Sequence, residues 1–166
     1  MKKVLILLLV LVLIGVAYFL VQQADYKDAE FLIDGQVVRL DDGAAKYFGN
    51  ELVTDLDGDG DKDVAFIITH QPGGSGTFYY AVAALKTGTG YVGSDAYFLG
   101  DRISPQATTF SPNPRHKMVV VFNYADRAAG EPMTAVPTVG QSVYLKIDPQ
   151  TSHWALVEPS FEGESL

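Results

Sequence analysis

Five aspartates fall at alternate positions of one short segment: Asp55, Asp57, Asp59, Asp61 and Asp63, with Gly60 at its sixth place. That is the spacing of a D-x-D-x-D-G loop, in which alternate side chains turn inward around one hard cation and the glycine permits a sharp turn. Without a cation the array is costly, because two carboxylates about 6 Å apart repel by roughly 3 kcal/mol at an effective dielectric of about 20. The spacing predicts Ca²⁺ held by side-chain oxygens of Asp55, Asp57, Asp59 and Asp63, with Asp61 adding its backbone carbonyl. The competing reading is a solvated acidic turn between strands. The bidentate glutamate that closes an EF-hand is replaced by Phe66, and an apolar strand follows instead of a helix. Affinity in the weak range of extracellular modules is therefore expected.

Elsewhere the chemistry is thin. His70, His116 and His153 are singletons without a partner at ligand spacing. The glycine-rich stretch 73–76 lacks the G-K-[ST] ending of a phosphate loop and precedes a strand, and Ser75 and Ser104 have no G-x-S-x-G context. No catalytic or cofactor-binding residue is assigned from these. Asp101-Arg102 and Asp126-Arg127 are charged pairs in loops, a pattern that braces loops through side-chain-to-backbone hydrogen bonds. The alternative gives them a chemical role, as the acid/base groups of a cell-envelope hydrolase.

The elements that must position these residues read mainly as strands. Residues 31–33 and 36–40 flank Asp34-Gly35, a strong hairpin signal. Residues 64–69 and 78–85 are apolar on both alternating faces and so belong at the centre of a sheet covered on both sides. Strands continue at 96–99, 107–110 and 117–124, a half-exposed one at 143–147, and a last one at 154–157. Residues 43–50 read as a helical turn or loop, 71–76 as a turn or mobile loop, and 125–140 as a long connection. The expected fold is mainly β, an antiparallel sheet or sandwich, with one N-terminal transmembrane helix.

That helix comes from the N-terminus, where Met1-Lys2-Lys3 precedes an uncharged apolar run over residues 4–21. Eighteen residues of helix reach about 27 Å, close to the hydrocarbon thickness of a bilayer. The flanking lysines place the rest of the chain outside the cytoplasm. The exit lacks small residues at both cleavage positions, which favours an uncleaved anchor over a cleaved signal. The domains are then 1–24, anchor or signal; 25–160, an extracytoplasmic β domain joined through a polar tether over 22–30; and 161–166, an acidic tail. The net charge of −8 leaves no electrostatic footprint for nucleic acid, and the absence of cysteine excludes disulfides and thiolate metal sites.

Two resemblances add to this. Asp55, Asp57, Asp59, Gly60 and Asp63, running straight into Val64-Ala-Phe-Ile-Ile68, resemble the calcium loops of FG-GAP and related repeats in extracellular β-propellers. One copy is present, so the loop carries over and the propeller does not. Tyr47-Phe-Gly-Asn-Glu51, Gly73-Gly-Ser-Gly-Thr-Phe-Tyr-Tyr80, Leu99-Gly-Asp-Arg-Ile103, Asn123-Tyr-Ala-Asp-Arg127 and Gly130-Glu-Pro-Met-Thr134 resemble a group of uncharacterised bacterial envelope proteins. That resemblance spans roughly residues 46–147 and implies a cell-envelope setting without an activity. Together the readings give a membrane-tethered, extracytoplasmic calcium-binding module, structural or interacting rather than catalytic. Its partners are the membrane, through residues 4–21, and an unidentified envelope protein or glycan.

Overall fold

A computed structural model describes residues 9–12, 15, 24–41 and 43–159 of the 166-residue chain. It is mainly β, and its sheets are antiparallel. β1 (Glu30–Ile33) and β2 (Gln36–Arg39) form the expected hairpin, with Asp34 and Gly35 at φ 50° and 80°, both positive as its two-residue turn requires. β3 (Ala45–Thr54), β4 (Asp63–His70), β5 (Phe78–Thr87) and β6 (Gly90–Gly93) lie side by side in that order, while β7 (Tyr97–Asp101) also pairs with β5. β8 (Ser104–Phe110), β9 (Val119–Asp126), β10 (Val139–Ile147) and β11 (Trp154–Leu156) form a further sheet, in which β9 and β10 are central.

Strands β4 and β5 are buried on both faces, as their unbroken apolar runs require. Ala65, Ile67, Ala81 and Ala83 face Phe122 and Leu145 of the second large sheet, forming the inner core. Val64, Phe66, Ile68 and Val82 face the other way, beneath Phe31 and Ile33 of the hairpin. Fully burying a side chain of this size contributes about 1.5–3 kcal/mol. The hairpin is also bonded to the sheet edge: Leu32 N–H donates to the Ser94 carbonyl at 3.1 Å, and Ala96 N–H to the Leu32 carbonyl at 2.8 Å. This approach needs glycine at 93, because a Cβ there would stand 2.1 Å from the Glu30 carbonyl oxygen.

Two expectations are corrected. Residues 43–50 are not a helical turn: from Ala45 onward they belong to β3, which pairs with β4 through register shifts at Gly49 and before Leu52. Gly49 and Asn50 have positive φ, which gives the segment its turn-like composition inside a strand. Nor is 22–30 a loose tether along its whole length. Tyr26–Asp28 form a 3-10 turn capped by Asp25, Ala29 is buried, and Glu30 already belongs to β1. The other strands lie within a few residues of their expected places, and β6 is an addition.

Among the described residues no helix is long and apolar enough to cross a membrane. The apolar run 4–21 lies largely outside the described residues, of which 9–12 and 15 are helical, and so does the acidic tail 161–166.

Candidate metal centre

The acidic loop joins β3 to β4, and its two ends are held opposite each other by the Thr54–Asp63 pair of the ladder. Leu56, 1 % exposed, is driven into the inner core and anchors the loop from within. Its neighbours Asp55 and Asp57 are thereby left half-buried on the loop's flank. Asp55 accepts from Gly58 N–H at 2.6 Å and from Gly60 N–H at 3.1 Å, so one carboxylate gathers the turn around itself. Asp57 accepts from Asp59 N–H at 3.1 Å and Asp59 from Asp61 N–H at 2.7 Å. Gly60 at φ 94° occupies the left-handed region, the conformation that the sixth place of such a loop demands.

Asp63 is different in kind. It is fully buried, and its two carboxylate oxygens accept from Leu56 N–H and Lys86 N–H, each at 2.7 Å. Burial pushes its carboxyl above the usual carboxylate range against the pull of those two donors, and the charges of Asp57 and Asp59 add to the rise. Carboxylate oxygens of Asp55, Asp57 and Asp63 lie within 4.8 Å of one another. Ligands held about 2.4 Å from one ion can be separated by at most about 4.8 Å, so the three are close enough to share a cation. Among the described residues, no lysine, arginine or histidine forms an ion pair with any of the five aspartates. The cluster can hold a metal ion, and its oxygen-only donors suit a hard one. Of the five expected ligands, the fold brings together Asp55, Asp57 and Asp63, while Asp59 and Asp61 are exposed on the rim.

The charged pairs at the opposite end of the sheets are also brought together, and their groups are occupied. Arg127 donates to the carbonyls of Ala135 at 2.9 Å, Asp101 at 3.2 Å and Arg102 at 2.8 Å, with its side chain only 8 % exposed. Asp101 accepts from Thr77 N–H at 2.9 Å and pairs with Arg102 at 3.1 Å. The Arg102 hydrogen bond holds the Asp101 carboxyl below its ordinary range. Asp126 accepts from Arg127 N–H at 2.7 Å. These residues tie the 71–77 loop, the β7–β8 turn and the 127–138 connection to one another. They line neither the cleft of about 520 Å³ beside Glu30, Asp95 and His153 nor the aromatic one of about 570 Å³ beside His70, Tyr80 and Phe98.

The histidines find local partners. His116 Nδ1 lies 2.8 Å from Ser111 Oγ, and His153 Nδ1 lies 3.8 Å from Asp95 Oδ2. Asp95 also accepts from Trp154 N–H at 2.7 Å, which fastens the β6–β7 segment to the last strand. His70 ends β4 with its ring 6.4 Å from that of Tyr80. One polar cluster had no signal in the linear pattern: the hydroxyls of Tyr26 and Tyr47 both donate to Glu51. Those bonds, the Tyr26 one first, hold the Glu51 carboxyl below its ordinary value. Burial and the same contacts raise both tyrosines. Fold and site thus define a β domain with an acidic loop able to take a metal ion. No family model, curated protein or solved structure matches the chain.

Proposed function

We propose that this chain is a membrane-tethered, extracytoplasmic module of the bacterial cell envelope, stiffened by one Ca²⁺ in the 55–63 loop. The observation that carries the metal reading is the convergence of the Asp55, Asp57 and Asp63 carboxylates within 4.8 Å, one of them buried and none matched by a cationic side chain among the described residues. A cation shared by these residues links the loop to the first residue of β4. Through the Asp63–Lys86 bond it also links the loop to β5. Its role is mechanical: it neutralises a repulsive cluster and joins the ends of three strands. Tether and compartment rest on the lysine-flanked apolar run 4–21 and on the envelope-protein resemblance.

Without a glutamate at the twelfth place, affinity on the order of 10⁻⁴–10⁻³ M is expected. Calcium at 100 times Kd would then stabilise the fold by about 2.7 kcal/mol. Thermal melts of the purified chain in calcium and in chelator test the reading. A higher midpoint in calcium, poorly reproduced by magnesium, is expected; identical midpoints in all three would leave a plain acidic turn.

A further inference from the structure

The chain enters the β domain at a defined place and is locked there. Tyr26 sets its ring against Phe66 at 5.3 Å, Tyr91 at 6.2 Å and Tyr47 at 6.5 Å, all edge-on, while its hydroxyl bonds Glu51. Lys27 Nζ lies 4.0 Å from the centre of the Tyr47 ring, and Ala29 is buried in the cluster that holds Phe31 and Phe66. Ala24 lies at the β5–β6 turn, since a Cβ built on Gly90 would stand 3.6 Å from its own Cβ. From that turn, Lys86 N–H reaches Asp63, so the chain entrance and the acidic loop share one end of the sheet. The 71–77 loop and the β7–β8 turn lie at the other end, where His70, Phe78 and Asp101 pair.

Only Gln22, Gln23 and Ala24 separate the apolar run from Asp25, the cap of the Tyr26 turn. Three residues reach at most about 10 Å. The headgroup layer on one side of a bilayer is itself roughly 5–8 Å deep. The connection therefore has almost no slack once it has crossed the headgroups. We infer that the domain rests on the lipid surface through its β5–β6 end, with the 71–77 and 127–138 loops directed away from the membrane. This rests on the proposed anchor at residues 4–21. The outward end is then the one available to soluble or neighbouring envelope partners.

The chain contains no cysteine, so one introduced cysteine gives one labelling site. The full chain is reconstituted in phosphatidylcholine vesicles as Thr89→Cys, in the β5–β6 turn, or as Ser75→Cys, at the other end. Each carries a thiol-linked fluorophore, and quenching by headgroup spin-labelled lipid is measured. Quenching several-fold stronger at residue 89 than at residue 75 is expected. A roughly ten-residue Gly-Ser insertion before Ala24, which leaves the Tyr26 contacts in place and adds a flexible reach of about 17 Å, should bring the two values together. Equal quenching without the insertion, on a chain that floats with the vesicles, overturns this orientation and leaves the anchor standing. Strong quenching at residue 89 that survives the insertion overturns the short connection as the cause of this orientation. A chain that fails to float overturns both orientation and anchor.

Discussion

The two ends of the five-stranded sheet each gather charged side chains, and they do so in opposite ways. At the β7–β8 end, Asp101 and Asp126 each have an arginine partner, and Arg127 spends its donors on three carbonyls. At the β3–β4 end, Asp55, Asp57 and Asp63 converge and accept from backbone N–H groups, and among the described residues no cationic side chain pairs with them. A hydrogen bond from an amide shares a carboxylate's charge without neutralising it, whereas a guanidinium does both. The difference separates a finished brace from a cluster that could hold a metal ion. The sequence marks the aspartate loop by its ligand spacing and the Asp-Arg pairs only as charged loop residues, read as braces with a hydrolase role as the alternative. Charge balance in the fold distinguishes them.

The largest effect should come from breaking the finished end. Arg127→Ala leaves three carbonyls without their donor and should cost about 3 kcal/mol or more in denaturant unfolding. That loss should be the same in calcium and in chelator. A calcium-dependent loss would couple the two ends and undo the contrast between them.

Next is Asp63→Asn. The amide keeps an acceptor for one of the Leu56 and Lys86 N–H groups and turns its NH2 donor toward the other, so chelated protein should lose about 1–3 kcal/mol. The stabilising response to calcium should also vanish. A variant that keeps the full calcium response would remove Asp63 from the site.

The smallest effect belongs to the Tyr26–Glu51–Tyr47 cluster. The Glu51 carboxyl is held below its ordinary value, so its contribution is complete above about pH 4.3 and is lost as pH falls through the folded-state value. Wild type and Glu51→Gln should differ by a constant amount at neutral pH and converge in acid. A gap that widens as pH falls would contradict the assigned direction.

What was legible in the sequence follows from how local each signal is. Asp34-Gly35 specifies its hairpin within two residues, and the apolar runs of β4 and β5 declare burial on both faces wherever their partners come from. The β3 segment reads as a helical turn or loop because Gly49-Asn50 carries turn composition, while its pairing with β4 accommodates that irregularity as register shifts. β6, Gly90–Gly93, is four residues long with glycine at each end, too short to show a pattern, and exists through its pairing with β5. The aspartate spacing marks the cluster that could hold a metal ion. It could not show that Asp63 is buried against Leu56 and Lys86 while Asp59 and Asp61 stay on the rim. The Tyr26 latch was invisible because Glu51 is 25 residues away and reaches it only through β3.

The central claim is that the β3–β4 loop takes one hard cation between Asp55, Asp57 and Asp63. Asp57→Asn tests it most directly, because the amide keeps the oxygen that accepts from Asp59 N–H and removes only the charge. Calorimetric titration of Ca²⁺ into wild type should show one site with Kd on the order of 10⁻⁴–10⁻³ M. In Asp57→Asn the binding should weaken by at least tenfold, a loss of about 1.4 kcal/mol, while the melting midpoint in chelator stays where it was or rises. Calcium binding with equal affinity in the two proteins, or none in the wild type, would contradict the account.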